Sequence, residues 1–504
     1  MMRRLAVLFA MLMLAFNSVA AEPPLGIQGA RQLLTRAGFA PSDLDVATYS
    51  ALTHKAAVDR LLAGTRTSTV TPAPAWIDER LVPPRELRAM SDDARRAELQ
   101  KQVRMGLDLR GWWLREMAAT PSPLTERMTL FWHNHFVSAQ PKVRYTQLMY
   151  RQNVLLRGHA LGRFDELLHA VAKDPAMLIY LDSATNRRGS PNENFAREVM
   201  ELFTLGEGKY SEDDIKQAAR AFTGWSIDFD TGDYLFRRPL HDGGEKTVFG
   251  RTGNFDGDAV LDIMLAQPGS SEFIVRKLWR EFVSPQPDEA RVKAIAAQFR
   301  AGGWDIAQPV RALLLQPEVV ARNEDNALVK SPVELMVGLL RQSGGELTQP
   351  VAAAVALAGM GQNLFSPPNV RGWPGGEAWI NTNTLLARKQ FLERALGGTS
   401  SGKSASGKSS AEATMDDSMA GSMKAEDVPR RRLQMLEQAA SVRVDSEAWL
   451  ARAGLAPERV VAPGARVMLE QAVLAVAPAS TARDGSLGLD ALRAIVLDPA
   501  YQLK

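Results

Sequence analysis

The chain has 504 residues, 45% of them hydrophobic, with a formal charge of +3 and no cysteine. That length and apolar fraction allow one large domain or two to three ordinary ones, each able to bury a sizeable core. The missing cysteine excludes a lipobox, a disulfide framework and any thiolate metal site. The near-neutral balance, with no single basic stripe, argues against a nucleic-acid partner.

At the N-terminus, Arg3 and Arg4 precede an apolar run over 5–16, followed by the small residues Ser18, Val19, Ala20 and Ala21. The run is too short to span a bilayer comfortably, so 1–21 reads as a cleaved secretory signal. Later in the chain no stretch approaches 18 uninterrupted apolar residues. The expectation is a periplasmic or secreted protein with no transmembrane segment after cleavage, and a cysteine-free composition suits an oxidising compartment.

Helical spacing of Leu33, Leu34 and Ala37 predicts a helix over 29–37, with another over 56–62. A Pro-rich connector covers 72–84. Residues 85–117 read as a long helical stretch, broken or kinked near Gly106 and Gly111. Ser122-Pro123 sets an N-cap and a proline first turn for a helix carrying Leu124, Met128, Phe131, Trp132 and His135. Phe195, Val199, Leu202 and Phe203 make a further apolar face. Ser211 with Asp214 resembles a capping box before Ile215 and Phe222. Between 227 and 252 Gly, Asp, Tyr and Phe alternate, which predicts a small β-hairpin excursion. Residues 397–428 form a linker rich in Ser, Gly, Ala and Lys, expected to be disordered. Residues 429–504 return to a helical pattern and are expected to pack back on a core domain spanning 22–396. The fold class is therefore all-α, mainly helical, with the hairpin excursion.

Two recurrences stand out. Gly-Trp occurs at 111–112, 224–225, 303–304 and 372–373, read as a helix stop followed by a residue folding back on the last turn. The sharper reading is an aromatic platform for sugars. The runs 310–317 and 492–499 also match in pattern, and 167–175 ends similarly, each as an apolar helix closed by proline.

Polar clusters are few. In Trp132-His133-Asn134-His135-Phe136, His-x-His could grip a metal on a strand. On a helix the two rings lie about 200° apart, which favours a half-buried His135 and a hydrogen-bonded His133. Glu193, Arg197 and Glu201 stand at i, i+4 and i+8, either a solvated ladder or the polar wall of a cleft. His241-Asp242-Gly243-Gly244-Glu245-Lys246 suits either substrate handling or a self-bonded turn. Asn254-Phe255-Asp256-Gly257-Asp258 fails the calcium-loop spacing and reads as a capped helix start. Met415, Met419 and Met423 are thioethers of the type that binds Cu(I), but no histidine accompanies them. Phosphate-loop, serine-elbow and zincin motifs do not occur.

The run 132–136, with Asp174-Pro175-Ala176-Met177, Pro191-Asn192-Glu193-Asn194, 219–225, 241–246, Lys330-Ser331-Pro332-Val333-Glu334, 361–376 and 379–382, resembles the family catalogued as domain of unknown function 1800. The resemblance covers nearly the whole mature chain, and the Met-bearing linker stands outside it. It implies an exported, largely helical bacterial protein, often encoded beside a second exported family resembling sulfatases and phosphatases. It carries no catalytic residues over, and neither it nor the residues name a cofactor. Two function classes follow. One is a partner or scaffold for an exported sulfatase-like or phosphatase-like protein. The other is a periplasmic hydrolase-like enzyme whose polar cleft gathers His133, Glu193, Arg197, His241 and Asp242.

Overall fold

Ser42, Ser211 and Ser331 each open a helix in the same way. The hydroxyl accepts a hydrogen bond from the third helical amide, and Asp45, Asp214 or Glu334 at that position accepts one from the serine N–H. Such local signals set most boundaries of the computed structural model, which describes residues 22–397, 441–480 and 485–504. Over these residues the chain is mainly helical, with small antiparallel strand pairs. The stretch 1–21 expected to be a signal, all but the first residue of the expected 397–428 linker, and its three methionines lie outside the described residues.

The longest helix, Asp92–Ala119, corrects one expectation. It runs unbroken through Gly106 and Gly111. Both glycines serve close approach: a Cβ at 106 would collide with the Gln140 side chain, and one at 111 would come within 3.0 Å of Pro350. The interruption lies earlier, between Pro84–Ala89 and the Ser91 cap of the long helix.

Apolar faces gather into two cores. The first joins helices Phe164–Ala172, Gly257–Ala266, Pro268–Phe282, Glu289–Ala301 and Ala307–Leu314. The second joins Trp112 and Trp113 of the long helix to Pro332–Ser343, Pro350–Gly359 and the C-terminal helices Ser446–Arg452 and Gly488–Val496. Helix Pro123–His135 stands between them. It sends Leu124, Met128, Phe131 and Trp132 into the first core and Leu130 into the second. With both faces buried, its polar groups must find partners inside the protein. Glu126 does so by accepting from Trp113 Nε1 at 2.8 Å and from Arg157 at 2.5 and 3.0 Å.

The β excursion contains two hairpins, Trp225–Asp228 with Asp233–Phe236 and Lys246–Val248 with Arg251–Gly253. A third pair, Glu346–Leu347 with Val442–Arg443, ties the C-terminal helices to the rest. Leu328 and Lys504 exchange both backbone bonds, at 2.9 and 2.8 Å. The proline echo is also corrected. Pro175, Pro317 and Pro499 each open a following short helix rather than only closing the one before. In two of the three corners an aspartate, Asp174 or Asp498, caps that new turn.

Candidate functional site

The five residues singled out in the sequence fall into three networks. His133 is 1% exposed, packed edge-on to Trp113 and beside Phe365 and Trp373, and its Nε2 accepts the Phe365 N–H at 3.1 Å. Burial drives its pKa down to about 3, so the ring is neutral. Glu193 and Arg197 form the second network. Arg197 reaches Glu193 at 3.3 Å and grips Glu212 with two bonds of 2.9 Å, and these bonds raise its pKa. The expected ladder stops there, because a π-helical stretch, Val199–Thr204, turns Glu201 toward Tyr210 and Arg371.

His241 and Asp242 make the third network, and it is wrapped on itself. Asp242 accepts two bonds from Arg220 and one from the Gly244 N–H, and Arg220 holds its pKa down at about 2. The buried Lys246 donates to the carbonyls of Asp242 and Gly244, and His241 Nδ1 donates to the Thr223 carbonyl at 2.9 Å. The chain segments that lead into these two networks touch, as Arg188 N–H donates to the Leu240 carbonyl at 2.7 Å. Among the described residues, His133 shares no hydrogen bond or ring contact with the other four.

A different group of side chains meets in a cavity of about 820 Å³. Its walls are the end of helix Pro123–His135, one face of helix Pro268–Phe282, the 327–331 strip with its Lys504 partner, and the 371–376 loop. The loop is clamped by Asn134, whose Oδ1 accepts from Trp373 N–H at 2.7 Å while its Nδ2 donates to the Trp373 carbonyl at 3.1 Å. Gly372 sits at φ +79°, and a Cβ there would lie 2.3 Å from Asn134 Oδ1. Gly372-Trp373 is thus a loop clamp and not a helix stop. Gly111-Trp112 lies within a helix, whereas Gly303 does end one, with Trp304 N–H bonded back to Phe299. Trp112, Trp225 and Trp373 are buried, which removes the exposed sugar platform at those three positions.

Inside the cavity, Arg127 pairs with Glu281 at 2.7 Å and with Glu334, which also contacts Lys504. Arg127, Glu334 and Lys504 are buried and Glu281 is partly exposed, and the four charges offset one another. Lys277 has no carboxylate partner among the described residues. Its Nζ lies 2.9 Å from His135 Nδ1 and 5.1 Å from the centroid of the Phe273 ring. His135, 3% exposed, uses its other nitrogen to donate to the Phe203 carbonyl at 3.1 Å. That carbonyl is free because it belongs to the last turn of the π-helical stretch. The donation fixes the tautomer, so the lone pair of Nδ1 faces Lys277. Burial, then the Lys277 charge, hold the imidazole well below its ordinary pKa. Burial, helped by Arg280, lowers Lys277 to about 8. Such a pair can hold an anion or share a proton with a bound molecule. No group of three His, Asp or Glu side chains among the described residues could hold a metal ion.

Sequence reasoning treated His135 as structural and passed over Arg127, Lys277, Glu281 and Lys504. The signals that could have found the site are the 132–136, 330–334 and 361–376 words, which all reach this one cavity.

Fold and site together define a mainly helical protein with a cavity, lined by apolar and charged side chains, at the junction of two cores. The family model described as "Protein of unknown function (DUF1800)" matches residues 32–503, and the chain belongs to that family. No curated protein and no solved structure matches it.

Proposed function

We propose that this is an exported protein that binds a small polar molecule in the cavity beside His135 and Lys277, acting as a partner of an exported sulfatase-like or phosphatase-like protein. The observation that carries the ligand reading is the cavity of about 820 Å³, within the size range of small-molecule sites, with an unpaired lysine in its wall. Four of the segments that carry the family resemblance, 132–136, 330–334, 361–376 and 379–382, supply part of its lining. For a partner, the surface favours an acidic one. Arg187, Arg188 and Arg238 have no carboxylate partner among the described residues, and they stand beside Phe236 and Leu240, each 41% exposed. Among the described residues no helix is long and apolar enough to cross a membrane. The export reading rests on the N-terminal pattern.

A thermal-shift panel of small carboxylates, phosphates and sulfates tests the ligand reading. At least one class should raise the melting temperature of the wild type by several degrees and leave Lys277→Met unmoved. Equal shifts in both, or none in either, would refute it. Capture of the tagged protein from the native periplasm tests the partner, and a sulfatase-like or phosphatase-like protein should be retained by the wild type and lost with Arg187→Glu/Arg188→Glu. Mass spectrometry of the exported form should show cleavage near Ala20 or Ala21.

A further inference from the structure

We infer that Lys277 is a nucleophilic amine, and that the molecule bound in the cavity is a small carbonyl compound carrying an anionic group, which forms an imine with it. This rests on the cavity reading above and names the chemistry of that site.

The placement is what an amine nucleophile needs. Lys277 projects from the middle of the rigid helix Pro268–Phe282 into the cavity wall. A lysine held for structure usually meets a carboxylate or a carbonyl. Here its hydrogen-bond partner is the lone pair of a neutral imidazole, at 2.9 Å. That imidazole cannot swing away, because its other nitrogen is tied to the Phe203 carbonyl and its ring packs against Phe131 and Phe136. The low pKa of Lys277, about 8, supplies a useful fraction of free amine near neutrality. Arg280 stands one turn further along the same helix at the exposed rim, with no ion pair among the described residues. It is placed to hold the carboxylate or phosphate of a compound whose carbonyl reaches Lys277. Of the other charges lining the cavity, Arg127, Glu281, Glu334 and Lys504 are paired among themselves, Arg371 pairs with Glu201 and Glu207, and Glu324 and Glu377 are exposed at the rim.

The step balances without any outside reagent. The reacting form of Lys277 is the free amine present near neutrality, and His135 Nδ1 takes one proton from its nitrogen as it attacks. The amine lone pair forms a C–N bond to the carbonyl carbon, and the C=O π pair moves to oxygen, which takes the proton back from His135. The resulting carbinolamine loses water, and the imine remains. Amine and carbonyl compound give imine and water, with no oxidation or reduction.

The test is reductive trapping on the full mature chain. Pyruvate, glyoxylate and glyceraldehyde 3-phosphate are each incubated with cyanoborohydride, and adducts are mapped by peptide mass spectrometry. At least one should label Lys277 tenfold or more faster than the average surface lysine, with a rate that rises around pH 8. Labelling there should be slowed tenfold or more in His135→Gln and disappear in Lys277→Arg. Acetone, lacking an anionic group, should label Lys277 at least tenfold more slowly. Wild-type labelling of Lys277 no faster than surface lysines with all three probes would overturn the inference, whether or not the variants fold. Thermal shifts on the same mixtures without reductant separate the two claims. Stabilisation by a probe with no adduct would end the imine chemistry and leave the cavity as a binding site. Loss of both would end both.

Discussion

Glu126 and Arg157 are each almost wholly buried, and their ion pair is completed by the Trp113 indole N–H. Taking one partner away strands the other as an uncompensated charge, which typically costs ~3–5 kcal/mol. Arg157→Met should therefore lower unfolding free energy by about that much in urea titration, and the added change Glu126→Met should recover part of it. Gly372→Ala is the second test at this scale. The methyl group would require φ +79° of a residue with a Cβ and push against Asn134, so a loss of about 2 kcal/mol is expected, together with weaker ligand binding as the 371–376 loop shifts. An unchanged stability and affinity would contradict the clamp assigned to Asn134.

Between elements, His169 is the clearest pH-dependent contact. It stands on helix Phe164–Ala172 and bonds through both ring nitrogens to helix Gly257–Ala266, at 2.9 Å to Asp258 and 3.0 Å to Asp262. Only the imidazolium can donate to both carboxylates, and these bonds raise its pKa, Asp258 contributing most. A raised folded pKa gives stability that is fully present below the unfolded value near 6.5 and is lost as pH rises through the folded value. Against His169→Gln, the wild type should be more stable at pH 5.5, and the difference should close as pH rises through the raised folded value. The ring is half-buried and the carboxylates are largely in water, so the difference should be at most about 1 kcal/mol and should shrink in 1 M salt. A gap that widens with pH would contradict the assignment.

At the scale of the molecule, the helical class, the Ser211 box, the Asp256 cap and the hairpin region were legible because each depends on residues a few positions apart. The cavity was not, for a physical reason. Glu193 with Arg197, and 241–246, catch the eye because opposite charges lie close in sequence, but the main partners of Arg197 and Asp242 are Glu212 and Arg220, and each group is satisfied within its own network. Arg127, Lys277, Glu334 and Lys504 come from four distant segments, each ordinary within its own pattern, and only the folded chain sets them together. That assembly depends on the C-terminal helices, which are held by the Val442–Arg443 strand and by Lys504. If a protease site is inserted between 398 and 440 and cut, the two fragments should co-elute and keep the melting temperature within a few degrees. Separation into two species would show that these contacts are too weak to join the pieces.

The claim that the cavity is a ligand site is tested most directly by native mass spectrometry of the protein isolated gently from its native cells. The comparison is Ala327→Trp, which places an indole at the cavity wall. The wild type should carry a small polar molecule in near-equal amount, released on denaturation, that the variant lacks while melting within a few degrees of the wild type. The same added mass on both proteins, or no added mass on either, would contradict the account.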